Sequence, residues 1–228
     1  FDTIWAVDSV CYGETIDIYA TGSMTYNWSI GSTNDSIQVN VVSDTTIIVV
    51  ATYLTCIERD TVYIKVKPLP VITFTGDSSV CFNDSMHLGV DGGINYVWEN
   101  GFTTDSISFL PAASETLTVT VTNSYGCTAQ DSIQTTVYPL PVPLITGDNT
   151  PCLYDTTSLS ASGGVTYEWS NAATTPSIDI AWNSTGTFDY NVIATDVNGC
   201  SDTAFFTAVV TNLPEFWLGN DTIICNLT

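Results

Sequence analysis

Seven cysteines are the residues of this chain whose type and spacing most clearly point to chemistry. Three of them follow a Leu-Pro pair after ten intervening residues, in Leu69-Pro70 to Cys81, Leu140-Pro141 to Cys152 and Leu213-Pro214 to Cys225. This constant spacing indicates a tandem repeat of about 71 residues. A domain of that size has a small hydrophobic core, so we expect covalent cross-links to stabilise it.

Each repeat holds a second cysteine at a similar distance from the first, which predicts one disulfide per repeat. The predicted pairs are Cys11–Cys56, Cys81–Cys127 and Cys152–Cys200, and Cys225 is predicted to pair with a residue beyond Thr228. A structural zinc site would need cysteines clustered with histidines, and the sequence has no such cluster. Disulfides at this density predict an oxidising compartment, so we expect an extracellular or cell-surface protein.

Catalytic chemistry has little support in the sequence. His87 is the sole histidine, and its counterpart in the next repeat is Ser158. The chain carries no nucleophile elbow, phosphate-binding loop or metalloprotease motif. We therefore expect a protein that is not an enzyme and that needs no cofactor.

Calcium is the one metal ion that the sequence leaves open. Asp77, Asp148 and Asp221 lie near the links between repeats and could bind a hard cation there. The alternative is a simple Gly-Asp turn.

An aspartate followed by Ser or Thr and then by a small, apolar or Thr residue recurs far more often than random order would give. The hydroxyl residues in these motifs are Thr3, Ser9, Ser36, Thr45, Thr61, Ser85, Ser106, Ser132, Thr156, Thr203 and Thr222. One interpretation is that the motif is how a strand begins, with a turn residue, an outward hydroxyl and an inward side chain. The other interpretation is a signal for O-glycosylation, which would shield strand edges.

The charge is strongly one-sided, with 24 acidic residues against three basic ones and a formal net charge of −21. Nucleic acids and anionic membranes bind basic patches, so both are excluded as expected partners. No stretch is long and apolar enough to predict a membrane-spanning helix.

The strand-forming pattern predicts the fold class. Leu117, Val119 and Val121 alternate with threonines over Thr116–Thr122, which is typical of a half-buried antiparallel strand. Six or seven such short strands per repeat predict an all-β fold of tandem immunoglobulin-like (PKD-like) antiparallel β-sandwiches, each with one disulfide. A Tyr-x-Trp pair recurs in every repeat and is predicted to fill the core: Tyr26 and Trp28, Tyr96 and Trp98, Tyr167 and Trp169.

Proline-rich links divide the chain. We predict repeat 1 at residues 1–68, repeat 2 at 69–139, repeat 3 at 140–212, and the first strand of a truncated repeat 4 at 213–228. Proline fixes φ and removes a hydrogen-bond donor, so we expect stiff, extended links.

The stretch Leu218–Cys225, the Tyr-x-Trp pairs, the Asn198-Gly199-Cys200 turn and the Leu-Pro links together resemble a known class of repeat. They are similar to the PKD-like and immunoglobulin-like repeats of giant Bacteroidota surface proteins, including gliding-motility adhesins. The resemblance covers the whole chain. It implies export by the type IX secretion system and O-glycosylation at the Asp-Ser/Thr motifs.

These observations predict a structural or adhesive segment of a long extracellular fibre or stalk, built of stiff glycosylated spacers. Its partners would be the neighbouring repeats of the same chain, with lateral self-assembly into a filament as a further hypothesis. The alternative is an array of modules that bind carbohydrate or another surface ligand. In that case the tryptophans outside the shared pattern, Trp5, Trp182 and Trp217, would be the first candidates for the binding residues.

Overall fold

The structure is a computed structural model that describes residues 3–214, and this range is all β. The first sequence repeat forms β1 (Thr3–Trp5), β2 (Ser9–Cys11), β3 (Glu14–Thr21), β4 (Thr25–Trp28), β5 (Ser36–Val41), β6 (Thr45–Tyr53) and β7 (Cys56–Lys67). The second forms β8 (Thr73–Gly76), β9 (Ser79–Cys81), β10 (Met86–Asp91), β11 (Asn95–Trp98), β12 (Ser106–Phe109), β13 (Thr116–Thr122), β14 (Thr128–Gln134) and β15 (Thr136–Tyr138). The third forms β16 (Leu144–Thr146), β17 (Thr156–Ser162), β18 (Thr166–Trp169), β19 (Ser177–Ala181), β20 (Gly186–Thr195) and β21 (Ser201–Val210).

The strands of the first repeat make two sheets, in the orders β1-β3-β5 and β2-β7-β6-β4. All pairings are antiparallel except that of β2 with β7, which run parallel with Cys11 opposite Lys67. The facing sides bury Ile18, Trp28 and Ile47. Two sheets that are antiparallel apart from this one pairing, packed around one apolar core, form an immunoglobulin-like β-sandwich.

The other two repeats reuse this strand order. The second gives the sheets β8-β10-β12 and β11-β13-β14 with a two-stranded ribbon of β9 and β15, and the third gives β16-β17-β19 and β18-β20-β21. In the third repeat, a single parallel bridge between Cys152 and Thr211 lies at the position that β2 and β9 occupy in the first two repeats. The all-β, immunoglobulin-like fold class is therefore confirmed.

Period-two burial explains why these segments form strands. In β13, Leu117, Val119 and Val121 are at most 3% exposed, whereas the threonines between them are half-buried or exposed. β-branched residues fit such a pleated surface, with the apolar face directed to the core.

In the second repeat, two strands lack the apolar alternation that marks a strand in sequence. Ser79–Cys81 forms β9, whose three residues give no periodicity. The pairing of β14 with β13 begins at Thr128, although Thr128–Gln134 is polar or half-buried.

Glycines hold the turns before β11 and β18. Gly92 has φ +118°, and a Cβ atom there would lie 2.1 Å from the carbonyl oxygen of Val71. Gly163 repeats this arrangement, with φ +91° and 2.2 Å to the carbonyl oxygen of Val142. Only glycine permits both the backbone angle and the close approach of the chain.

By compactness the chain divides into two units. One consists of residues 1–78, 85–110 and 114–136, and the other of residues 79–84, 111–113 and 137–228. The repeat boundaries at 68/69, 139/140 and 212/213 remain predictions.

Within residues 3–214, no helix is long and apolar enough to cross a membrane.

Candidate functional site at the repeat junctions

Cys11, Cys81 and Cys152, here called the strand cysteines, occupy one structural position. In each case the next residue donates its N–H to a carbonyl oxygen near the end of the repeat's last strand. These bonds are Tyr12 N to Lys67 O at 2.9 Å, Phe82 N to Tyr138 O at 2.8 Å, and Leu153 N to Thr211 O at 2.8 Å. Each strand cysteine therefore lies where the chain leaves its own repeat for the next one.

Cys56, Cys127 and Cys200, here called the loop cysteines, occupy a second position. Each one directly precedes a residue of the repeat's last long strand, and that residue pairs with a threonine of the preceding strand. Those pairs are Thr52 with Ile57, Thr122 with Thr128, and Thr195 with Ser201. Each loop cysteine therefore lies where the last long strand begins.

Two disulfides connect these positions across the sequence repeats. Cys11 bonds to Cys127 and Cys81 bonds to Cys200, each with a Cα–Cα distance of 5.6 Å. In both, the strand cysteine of one repeat joins the loop cysteine of the next. Among residues 3–214, Cys56 and Cys152 form no disulfide.

The predicted pairs Cys11–Cys56, Cys81–Cys127 and Cys152–Cys200 are therefore wrong, and strand length gives the reason. β7 runs from Cys56 to Lys67, and Cys11 lies opposite Lys67. At about 3.3 Å per residue, Cys11 and Cys56 are separated by roughly 36 Å, whereas a disulfide requires Cα atoms within about 7 Å. Cys152, opposite Thr211, is held away from Cys200 by the length of β21 in the same way.

The loop that carries Cys127 is fixed by Asn123. Its Oδ1 accepts hydrogen bonds from the N–H groups of Tyr125 at 3.0 Å and Cys127 at 3.1 Å. Its Nδ2 donates to the carbonyl oxygen of Pro68 at 2.7 Å, in the proline link that follows repeat 1. One side chain thus shapes the loop and contacts the preceding repeat.

Asp196 is the counterpart of Asn123 in the third repeat. Its Oδ1 accepts from the N–H of Asn198 at 2.8 Å and of Cys200 at 2.9 Å. An Asn or Asp four residues before the loop cysteine is therefore a local signal of this turn, which the sequence interpretation missed. Repeat 1 has Tyr53, Leu54 and Thr55 before Cys56, a loop one residue shorter.

Asp44 has a structural role at the end of β7 that the sequence did not reveal. Its Oδ1 accepts the N–H of Val66 at 2.8 Å, and its Oδ2 accepts the hydroxyl of Tyr63 at 2.8 Å. The bond from Val66, followed by that from Tyr63, lowers the pKa of the Asp44 carboxyl, and the same contact raises the pKa of Tyr63. Because Val66 lies opposite Val10 in β2, Asp44 fixes the end of β7 beside the strand cysteine.

The hydroxyls of the Asp-Ser/Thr motifs differ in exposure. Five are exposed, and four are half-buried: exposed are Thr61, Ser85, Ser106, Ser132 and Thr156; half-buried are Ser9, Ser36, Thr45 and Thr203. Thr3 opens β1, and Thr222 lies outside the described residues. Exposure makes the first group accessible to a modifying enzyme.

The aspartates of these motifs have a structural role of their own. In the last long strands, Asp60, Asp131 and Asp202 each accept the N–H of the following residue through Oδ1, at 2.7–2.8 Å. All three lie within a strand rather than ahead of it. Asp35 and Asp105 directly precede strands, and each accepts the hydroxyl of the next serine.

The recurring tryptophans are buried rather than displayed. Trp28, Trp98 and Trp169 are at most 2% exposed, and each indole N–H donates to a backbone carbonyl oxygen six residues further along. Tyr26 is buried, whereas Tyr96 and Tyr167 are half-buried. The hydroxyls of Tyr96 and Tyr167 bond to the carbonyl oxygens of Gly93 and Gly164.

Trp182 does not fit a surface binding role. It is 2% exposed, packs against Phe188 and Tyr190 at ring distances of 5.5 and 6.0 Å, and donates its indole N–H to Thr157. A ligand would have no access to this ring. Trp5 lies in β1, and Trp217 is outside the described residues.

The calcium candidates do not converge. Asp148 Oδ1 accepts from both the N–H and the hydroxyl of Thr150, which closes a turn, and the backbone N–H of Asp77 bonds to His87. Asp221 lies outside residues 3–214. Among the described residues, no three acidic, histidine or cysteine side chains are grouped as a metal site would need. Calcium at these aspartates remains a prediction.

Comparisons with known proteins give no family for this chain: no protein-family model matches, and no curated protein matches. Among solved structures, the immunoglobulin domains 1–5 of Sidekick-1 match at 13% identity and a TM-score of 0.31, covering 92% of this chain and 58% of that one. A bacterial ice-binding adhesin matches at 16% identity and a TM-score of 0.38, covering 91% of this chain and 95% of that one. An I-band fragment of titin matches at 12% identity and a TM-score of 0.40, covering 93% of this chain and 99% of that one. At these identities and TM-scores the matches carry no argument about function.

Proposed function

We propose that this chain is a structural spacer of an extracellular fibre or surface stalk, in which each β-sandwich is covalently bonded to the next. The observation that carries the proposal is the pairing of strand and loop cysteines, Cys11 with Cys127 and Cys81 with Cys200. Bonds within a repeat would stabilise single domains. Bonds between repeats also restrict the links, which is what a spacer under mechanical load requires.

The composition supports this function. Disulfides persist in oxidising compartments, which favours a location outside the cell. The net charge of −21 favours mutual repulsion between neighbouring spacers and keeps an exposed segment soluble. The tryptophan of each repeat is used for packing, so the shared residues of the repeat serve the fold rather than a ligand.

Small-angle X-ray scattering tests the proposal directly. A compact globule of this length would have a radius of gyration of about 17 Å. Three sandwiches in a rod roughly 100 Å long would give about 30 Å, from strand lengths of about 3.3 Å per residue plus loops. We expect the larger value, and a value near 17 Å would refute the spacer function.

Glycosylation is a separate part of the proposal. We propose O-linked sugars on the exposed motif hydroxyls, with Thr61 and Ser132 as examples within the last long strands. The intact mass of protein isolated from its natural host tests this. A mass equal to the 24.5 kDa chain with only its disulfide hydrogens removed would refute it. Export by the type IX secretion system and a location on the cell surface belong to the same proposal. Both are implied by the resemblance to repeats of Bacteroidota surface proteins, including gliding-motility adhesins.

The alternative function, an array of carbohydrate-binding modules, has lost one candidate residue because Trp182 is buried. Nothing else in residues 3–214 favours it over the spacer. Binding of the intact chain to a glycan array, abolished by a change at an exposed ring such as Tyr154 or Phe205, would reverse this order.

A further inference from the structure

Each repeat has one long strand at the edge of a sheet. Within residues 3–214, β14 and β21 are the last strands of their sheets, and β7 is bordered by the short β2 only at Lys65–Lys67. β7, β14 and β21 have 12, 7 and 10 residues, whereas the other strands at sheet edges have at most six. The unbordered sides of these three strands are here called the free edges. A long edge with unpaired N–H and C=O groups is a template for pairing with another chain.

The N–H groups of Thr61, Ser132 and Thr203 point towards the free edges. Ser132 lies opposite Thr118, whose carbonyl oxygen accepts the N–H of Glu99 on the other side of β13 at 2.9 Å. Two opposite residues of an antiparallel pair direct their backbone groups either both towards or both away from each other, so Ser132 directs its N–H away from β13. The corresponding pairs in repeats 1 and 3 are Ile48 with Thr61 and Ile193 with Thr203.

A carboxylate accepts each of these N–H groups. Asp60, Asp131 and Asp202, here called the edge aspartates, each bond through Oδ1 to the N–H of the following residue, at 2.7, 2.8 and 2.7 Å. An N–H that is bonded in this way is not available to the carbonyl oxygen of an incoming strand. The edge aspartates themselves are exposed, so their carboxylates are solvated.

The edge aspartates also lie on the core-facing side of their strands. The residues opposite them are at most 2% exposed: Val49 opposite Asp60, Val119 opposite Asp131, and Ala194 opposite Asp202. Opposite residues of a strand pair point to the same face of the sheet. A strand added at a free edge would therefore extend the sandwich beside the carboxylate and remove it from water, and a buried charge without a partner is costly.

Little in the chain could neutralise such a buried carboxylate. The three basic residues, Arg59, Lys65 and Lys67, all belong to repeat 1, so strands of repeats 2 and 3 bring no lysine or arginine to an edge. A row of similar repeats holds many similar edges close together, and mispairing between repeats is a characteristic failure of such proteins. Protection of the long edges is thus a physical requirement for this chain.

We propose that the edge aspartates prevent strands of a second copy of this chain from pairing with the free edges. Each does so in two ways, by bonding the outward N–H and by placing a charge on the core-facing side. This assigns a role to the Asp-Ser/Thr motif at three of its positions, and that role needs no sugar on the hydroxyl. The inference is independent of the spacer function, because it concerns single sandwiches and their edges.

The test compares two triple variants of the whole chain, produced without glycans. The edge variant is Asp60→Ala/Asp131→Ala/Asp202→Ala. The control variant, Asp17→Ala/Asp91→Ala/Asp179→Ala, changes the net charge equally and removes one exposed aspartate per repeat from β3, β10 and β19. All chains, including the parent, carry Cys56→Ser, Cys152→Ser and Cys225→Ser, so that no assembly arises from these thiols. Sedimentation velocity at several concentrations measures the mass, and amide hydrogen exchange locates any new pairing.

We expect the edge variant to assemble to at least about twofold the monomer mass at concentrations where the parent and the control variant stay monomeric. Amide exchange in residues 57–63, 128–134 and 201–207 should then slow by at least about tenfold, because edge N–H groups become hydrogen-bonded. An edge variant that stays monomeric would overturn the proposal, as would equal assembly of the control variant or assembly without slower exchange at the edges. If near-UV circular dichroism shows that the triple edge variant is unfolded, the three single substitutions are compared with the three single controls by the same criteria. The radius of gyration expected for the parent chain is the same in every case, so failure of this proposal and failure of the spacer function are distinguishable.

Discussion

The interleaved disulfides predict an unusually short maximum extension when the chain is pulled from its ends. Cys11–Cys127 and Cys81–Cys200 overlap in sequence, with separations of 116 and 119 residues. After complete unfolding, the shortest covalent path from Cys11 to Cys200 runs through one disulfide to Cys127, back along the backbone to Cys81, and through the other. That path contains about 46 residues, or about 160 Å at roughly 3.5 Å per residue.

Reduction should release the rest of the segment. Without disulfides the same two ends are connected by about 189 residues, or about 660 Å, so we expect a gain in contour length of about 500 Å. Single-molecule force spectroscopy with handles at both termini measures this difference directly. The residues outside Cys11–Cys200 contribute equally to both states and cancel.

Two matched variants separate this pairing from one within each repeat, both in the Cys225→Ser background. Removing one bond with Cys11→Ser/Cys127→Ser leaves Cys81–Cys200, so the path grows by about 24 residues, or about 80 Å. Pairing within repeats would make the same variant about 320 Å longer. Cys56→Ser should leave the extension unchanged, whereas pairing within repeats would lengthen it by about 160 Å. A longer Cys56→Ser chain would refute the disulfide assignment.

Four further predictions concern the sandwiches themselves. Trp98→Ala should lower the free energy of unfolding by about 3–5 kcal/mol, measured by chemical denaturation, because it removes a fully buried aromatic side chain. Tyr63→Phe should raise the pKa of Asp44 towards its ordinary value in an NMR pH titration, since one of its two hydrogen-bond donors is lost. Folding lowers the pKa of Asp44, so the contribution of its carboxylate to stability is present above the unfolded-state pKa and is lost as the pH falls through the folded-state pKa. Asp44→Asn should therefore destabilise the protein at pH 7 and have little effect on its stability at strongly acidic pH. Gly92→Ala should destabilise by more than about 2 kcal/mol, because its Cβ would lie 2.1 Å from a carbonyl oxygen, whereas Gly126→Ala, which has a positive φ and no atom within 4 Å, should cost only about 1 kcal/mol; equal losses would contradict the steric argument.

Local pattern was sufficient to predict the fold class and the core. The alternation in β13 and the recurring Tyr-x-Trp pair both involve residues that are close together in sequence. Seven residues are enough to show the alternation that is typical of a half-buried strand. β9 gave no such signal, being three residues long. The loop that Asn123 closes did carry one, in the Asx residue four positions before the cysteine, but it points to a turn and not to a partner.

Disulfide pairing could not be predicted by the same means, because spacing in sequence does not determine distance in space. Cys11 and Cys56 recur at a similar separation in every repeat only because each repeat has the same strands, and that regularity suggested a bond within the repeat. The parallel pairing of β2 with the far end of β7 decides the matter, and a parallel pair between segments so distant in sequence leaves no local trace.

The parallel pairing also connects the fold to the proposed function. A strand cysteine held at the exit of one sandwich and a loop cysteine held where the last long strand begins can meet only across a junction, because the length of that strand keeps them apart within a repeat. Each of the two disulfides therefore restricts the link between two repeats, and this restriction is the property that the proposed spacer function needs.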